Sequence, residues 1–290
     1  MTISESQLKN WANQGGTTAA EDTHKSIRYA LRQYNWPNGV EYEDYLQGSY
    51  RNFTNIYVNS DVDLVVELVS TFYHNPIDEA SIKAIGFSAA TYEWGRFRQD
   101  VINALIAYYG SQYIDTSGGK SVKVLPNNGR LKGDVVVAAK YKYYDGARLV
   151  AEGITFWNTK NGQQIVNYPK RHFDNGSAKN ANTSQWYKPA IRMFKNAREQ
   201  IYKNKSWLAG KFPSYFVECL LYNVPNSKFG VSYQDIYCNL VNWLEAELDS
   251  NPSSFVCQNE MFYLFGSDSV QWNGEDAKLL ANEWISLWNS

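Results

Sequence analysis

Ile27, Leu31 and Tyr34 recur at helical spacing within A-A-E-D-T-H-K-S-I-R-Y-A-L-R-Q-Y, which predicts a helix opened by Thr17 or Thr18 and ended by Pro37 and Gly39. A shorter helix precedes it, capped by Ser4 and reaching Asn13. The period then changes. Tyr42 to Gln47 reads as a strand, Gly48-Ser49 as a turn, and D-V-D-L-V-V-E-L from Asp61 as a second strand, by its length and branched residues. Helical spacing returns over S-A-A-T-Y-E-W-G-R-F-R-Q-D-V-I-N-A-L-I-A-Y-Y-G, followed by short β segments in K-S-V-K-V-L-P, G-D-V-V-V-A-A-K-Y-K-Y-Y and G-I-T-F-W-N. Strands and helices mixed in this way argue for an α+β lobe with a helix-backed sheet. From Thr183 onward the pattern is helical throughout. The stretch K-R-H-F-D-N-G-S-A-K-N-A-N-T-S between the halves is polar and rich in Gly, Asn and Ser, and is read as a loop. The expected lobes are therefore residues 1–182 and 183–290.

The two acids of D-V-D interrupt an apolar run. Side chains alternate across a strand, so Asp61 and Asp63 share one face while Val62 and Leu64 take the other. Carboxylates that close raise each other's pKa unless a cation lies between them. A magnesium ion resolves this, because it takes one or two carboxylates and completes its shell with water and substrate phosphates. A solvated pair on an exposed strand face is the alternative. Asp134 stands at the mouth of another apolar strand, and three such acids can hold two metal ions. Upstream, Gly48 lets the backbone approach a phosphate, and Ser49 adds a hydroxyl beside its amide.

Composition narrows the partners. With 28 basic and 29 acidic residues the formal charge is −1, so no global field draws the protein to nucleic acid or to an anionic membrane. Aromatic residues make up 16% of the chain, which suits a dense core and also suits stacking on planar ligands. Cys219, Cys238 and Cys257 are scattered, which indicates reduced thiols rather than a disulfide framework or a zinc site. The first residues lack the pattern of an export signal, and no run of about 18 apolar residues occurs. A soluble cytoplasmic protein is expected.

Gly48-Ser49, the 13-residue step to Asp61-x-Asp63 and the later Asp134 resemble the polymerase-β-like nucleotidyltransferases, specifically the CD-NTases related to cyclic GMP-AMP synthase. The resemblance covers nearly the whole chain. It implies that the Gly-Ser turn holds a donor triphosphate, that Asp61, Asp63 and Asp134 bind two magnesium ions (manganese as a substitute), and that a C-terminal helical lobe closes the active-site cleft. In W-Y-K-P-A-I-R-M-F-K, Lys188, Arg192 and Lys195 are spaced to share one helix face toward an anion, with a merely solvated face as the alternative. The family has a lysine matching Lys195 that reaches the donor phosphates. F-P-S-Y-F-V-E-C-L-L resembles the family's Ser-Tyr pair, implying a phosphate contact from Ser214 and base stacking by Tyr215. Q-Q-I-V-N-Y-P-K looks like the matching stretch of a bacterial clade that includes uridine-using synthases, where Asn167 would read a base edge. His172 touches a phosphate or substrate, or else serves packing.

The resemblance implies an enzyme that joins ribonucleoside triphosphates into a cyclic dinucleotide or short cyclic oligonucleotide with release of pyrophosphate. A downstream effector would recognise the product in bacterial antiviral defence. Linear or RNA-tailing synthesis is one alternative, and a catalytically silent nucleotide-binding protein of the same fold is another. With only His24, His74 and His172 and scattered cysteines, no zinc insertion for DNA sensing is expected.

Overall fold

The computed structural model describes every residue except Met1, Thr17, Tyr57, Val58, Asn59, Ser60, Asn128 and Ser269. Of the two candidate helix starts, Thr17 therefore lies outside the described residues. The chain forms two compact units. A sheet unit comprises Gly16–Tyr50 and Asn59–Pro169, and a helical unit comprises Met1–Gly15, Arg51–Val58 and Lys170–Ser290. The division falls at 169/170 rather than at 182/183, and two N-terminal pieces join the helical unit.

The sheet unit runs α2 (Thr18–Arg32), β1 (Tyr42–Leu46), α3 (Gly48–Asn52, reaching into the other unit), β2 (Val62–His74), α4 (Glu79–Ile85), α5 (Trp94–Tyr109), β3 (Ile114–Asp115), β4 (Val122–Val124), β5 (Gly133–Asp145), β6 (Arg148–Trp157) and β7 (Gln164–Asn167). The strand order is β1-β2-β5-β4-β3, with β6 pairing the far half of β5 and β7 pairing β6. Among the described strands, β2 and β5 are the one parallel pair, joined by a long connection that carries α4 and α5. Alternation then sorts the side chains. Leu64, Val66 and Leu68 of β2 with Val135, Val137 and Ala139 of β5 pack on Ile27 and Leu31 of α2 and on Phe97, Val101 and Leu105 of α5. Val65, Val136 and Ala138 point to the other face, into a smaller cluster with Tyr45, Ile154 and Phe156. Asp63 and Asp134 belong by alternation to this second face, away from the helices.

The helical unit contains α1 (Glu5–Trp11), α6 (Pro169–Asn182, whose first residue lies in the sheet unit), α7 (Tyr187–Asn204), α8 (Ser214–Tyr222), α9 (Tyr233–Ser250) and α10 (Gly274–Asn289). Ser4 caps α1 by accepting from the Gln7 amide at 3.2 Å, as expected, although the helix stops at Trp11. Glu5 accepts from the amides of Tyr233 and Gln234 and so neutralises the N-terminus of α9. The core joins α7, α9 and α10, where Phe194 stacks on Tyr237 at 4.9 Å and meets Trp284 edge-on at 4.7 Å.

Three expectations are corrected. The polar stretch read as a loop is helix α6, opened by Pro169 at a position where a missing N–H costs nothing. Its buried positions are His172, Gly176 and Asn180, at helical spacing but without an apolar residue among them, so no hydrophobic period marked it. Gly48-Ser49 opens the short helix α3 rather than a simple turn. Asp61 lies one residue ahead of β2, so of the two acids of D-V-D only Asp63 is a strand residue. Among the described residues, no helix is long and apolar enough to cross a membrane.

Candidate active site

In the parallel register of β2 and β5, Asp63 is the direct partner of Asp134. The pairing brings two acids from distant sequence positions to neighbouring strand starts on one face, with Asp61 just upstream. Asp63 is mostly buried, and its carboxyl is pushed up to about 7, first by burial and then by the negative charges of Asp134 and Asp61. Gly48 sits directly against it. A Cβ at Gly48 would lie 2.5 Å from Asp63 Oδ2, and Gly48 holds φ +65°, in the region that favours glycine. The Gln47 amide donates to the Asp63 carbonyl at 2.9 Å, which fixes the start of α3 beside the acid. Gly48 is thus required by Asp63 itself, whatever else binds there.

Lys132, which the sequence reading passed over, donates from Nζ to Asp61 Oδ2 and to Asp134 Oδ2, the latter at 3.4 Å. Ser121 Oγ donates to the other oxygen of Asp134, also at 3.4 Å. The signal for Lys132 was present. It stands two residues before Asp134, the spacing that puts two side chains on one side of an extended segment. The three acids are gathered, yet among the described residues no three acidic, histidine or cysteine side chains converge closely enough to enclose an ion as they stand. Their chemistry nevertheless fits magnesium or manganese. All the donors are hard carboxylate oxygens, and the buried carboxyl of Asp63 has no cation bonded to it among the contacts seen.

In the helical unit the expected strip of anion-facing cations does not form. Lys195 is 1% exposed, and its Nζ donates to Glu218 Oε1 at 2.5 Å and to the carbonyl and hydroxyl of Thr54, each at 3.2 Å. A buried ammonium needs a counter-charge, and Glu218 of α8 supplies it. Arg192 donates to the carbonyls of Ala12 and Phe53, at 2.6 and 2.5 Å. Lys188 donates to Ser177 Oγ at 3.2 Å and lies over the rings of Phe53 and Phe173. All three cations serve internal partners.

Glu218 also accepts from Thr54 Oγ1 at 2.6 Å and from Asn52 Nδ2 at 3.1 Å, and bonds His172 Nε2 at 3.0 Å. Burial alone would raise its carboxyl, but Lys195 and His172 outweigh that and hold it well below the usual carboxylate range. The signal was a lone glutamate in the apolar Y-F-V-E-C-L-L-Y, four residues after Ser214. His172 answers to packing, being buried and stacked on Tyr215 with centroids 5.0 Å apart. Tyr215 is 38% exposed, also stacks on Trp272, and accepts from Asn259 Nδ2 at 3.2 Å. Ser214 opens α8, with Arg198 reaching toward its hydroxyl at 3.5 Å. Asn167 is exposed at the end of β7, opposite Ile154.

A mixed sheet whose parallel pair starts on register-matched aspartates, with a Gly-Ser helix start packed on one of them, defines the class as nucleotidyltransferase. Residues 174–289 match the family model described as the cGAS/DncV-like nucleotidyltransferase C-terminal helical domain. The chain belongs to this CD-NTase family. It is 45% identical to the cyclic UMP-AMP synthase of Rhodothermus marinus (strain SG0.5JP17-172), over 99% of this chain and 98% of that one. It is 37% identical to the cyclic nucleotide synthase CdnE01 of Staphylococcus haemolyticus, over 100% and 99% of the two chains. The solved structure of the Rhodothermus marinus CdnE c-UMP-AMP synthase with Apcpp and Upnpp superposes with a TM-score of 0.92 at 44% identity, covering 99% of this chain and 97% of that one. The protein is an enzyme, a nucleotidyltransferase of the cyclic nucleotide synthase kind.

Proposed function

We propose that the protein joins two ribonucleoside triphosphates into a cyclic dinucleotide, with UTP and ATP as the first pair to test, and releases pyrophosphate at each bond formed. The observation that carries this reading is the register pairing of Asp63 with Asp134, with Asp61 beside them and Gly48 packed on Asp63. The 45% identical relative with the cyclic UMP-AMP synthase name supports the choice of bases. In each step a ribose hydroxyl oxygen bonds to the α-phosphorus of the donor, the bond to the pyrophosphate oxygen breaks, and the hydroxyl proton leaves to solvent.

Asp61, Asp63 and Asp134 would hold two magnesium ions, or manganese in their place. Bound there, the ions lower the pKa of the attacking hydroxyl and neutralise the triphosphate. The protein's own share is positioning and charge. The carboxylates fix where positive charge gathers, and Gly48 and Ser49 offer a close backbone approach and a hydroxyl to the donor phosphates. In the helical unit Ser214 supplies a phosphate contact and Tyr215 a stacking ring. Asn167 offers both a donor and an acceptor to a base edge. Lys195 acts through the buried network around Glu218, which holds α8 and so the placement of Ser214 and Tyr215, and Lys188 acts through its bond to Ser177 of α6. Reading of the product by an effector, in antiviral defence, follows from the family resemblance.

The test is incubation of the full chain with all four labelled triphosphates and magnesium, followed by phosphatase treatment and mass spectrometry. A phosphatase-resistant product containing one uridine and one adenosine, absent from an Asp61→Ala, Asp63→Ala double variant, is the expected result. Phosphatase-sensitive ladders would replace the reading with a linear synthase. Nucleotide binding without pyrophosphate release would replace it with a silent binding protein.

A further inference from the structure

We propose that Lys132 is the resident counter-cation of the carboxylate cluster, holding with its ammonium the place between Asp61 and Asp134 that a divalent ion takes on loading. The inference rests on the metal-dependent reading above and concerns what that reading does not supply, namely what balances the acids before an ion arrives.

The backbone fixes where this lysine starts. Its carbonyl accepts from the Val62 amide at 3.0 Å, so the root of the side chain is tied to the first residue of β2, between Asp61 and Asp63. From that root Nζ reaches an oxygen of Asp61 and an oxygen of Asp134, acids from two different segments. Its side chain is 30% exposed, against 47% for Asp61 and 22% for Asp134. An ordinary surface pair joins one cation to one anion. Here one ammonium stands against three carboxylates, and the most buried of them, Asp63, is the one it does not bond.

Two consequences follow from this arrangement. A divalent ion held by Asp61 and Asp134 would compete with Lys132 for their carboxylate oxygens. Metal affinity is therefore reduced by the strength of the two contacts that must be given up. Half-exposed pairs of this kind amount to about a three- to tenfold reduction together.

The experiment titrates Mn²⁺ alone, without nucleotide, into the full chain by isothermal calorimetry, with thermal melts in parallel. Lys132→Met should bind Mn²⁺ about three- to tenfold more tightly than wild type, and Lys132→Arg should stay within about twofold of it. The melts should show a larger Mn²⁺-induced rise in Tm for Lys132→Met than for wild type. Lys132→Gln serves as a second neutral variant if the methionine variant folds poorly. Equal or weaker Mn²⁺ binding by the neutral variants, with wild type binding normally, overturns this inference and leaves the metal reading standing. No Mn²⁺ binding by wild type removes both.

Discussion

Glu218→Gln tests the buried network of the helical unit with a change of almost no volume. The wild-type carboxylate is 3% exposed and makes four contacts: Lys195 and Thr54 on Oε1, Asn52 and His172 on Oε2. An amide keeps one acceptor oxygen. Facing that oxygen to Lys195 and Thr54 leaves its NH₂ against the NH₂ of Asn52, while His172 can switch tautomer and accept. The Lys195 ammonium, 1% exposed, then has no counter-charge. Breaking one partner of a buried pair costs about 3–5 kcal/mol. The retained hydrogen bonds place this variant near the lower end, at roughly 3 kcal/mol. For a unit of this size that lowers Tm by about 6–12 °C at pH 7.

The pH dependence has a definite sign. Glu218 has its folded pKa depressed, so its contribution is full above the unfolded value of about 4.3 and is lost as pH falls below it. Glutamine does not titrate. The gap between wild type and variant should therefore be widest near pH 6–7 and narrow below about pH 4. Thermal melts followed by circular dichroism across that range measure both effects. A gap under about 2 °C at pH 7, or one that stays constant into acid, would falsify the claim that the pair is net stabilising in this setting. Replacing both charges, as in Glu218→Leu with Lys195→Met, should recover much of the loss, because the uncompensated charge is then gone.

Two further variants address the carboxylates. Gly48→Ala should lower kcat at least about 100-fold in the pyrophosphate-release assay, because the new Cβ meets Asp63 Oδ2 while φ stays in the glycine region. Its Tm should fall only a few degrees, and retention of more than a tenth of wild-type kcat would contradict the packing argument. Asp63→Asn should abolish synthesis yet raise the Tm of the metal-free protein at pH 8. The acid's pKa of about 7 in the fold, against an ordinary value near 3.8, sets a ceiling of about 4 kcal/mol on the cost of ionising it there. A lower Tm for that variant at pH 8 would mean that the carboxylate is satisfied in a way the geometry does not contain.

What the sequence made legible, and what it hid, divides along one physical line. The apolar strands, the amphipathic helices and the acids that interrupt them stand out because hydrophobic burial has a period, and a charge within that period is conspicuous. Asp63 and Asp134 were visible for this reason, although their adjacency depends on a parallel register that no local pattern encodes. Helix α6 was missed because the positions it buries are His172, Gly176 and Asn180, none of them an apolar side chain that would mark a hydrophobic period. Lys195 was misplaced for the same reason. Its spacing announces a helix face but not which face, and the acid that makes burial tolerable lies 23 residues further on. Burying polar groups with partners costs more design than burying leucine, since each needs a specific acceptor or donor in place. In the helical unit Glu218 and His172 are such groups, and His172 stacks on Tyr215, one of the two residues proposed to meet nucleotide. A side chain that must present a ring at a fixed angle is better held by the directional bond from Asn259 and by stacking on a His172 that Glu218 fixes than by contacts that tolerate sliding. The stretches that resisted periodicity are the ones whose geometry the proposed chemistry constrains most.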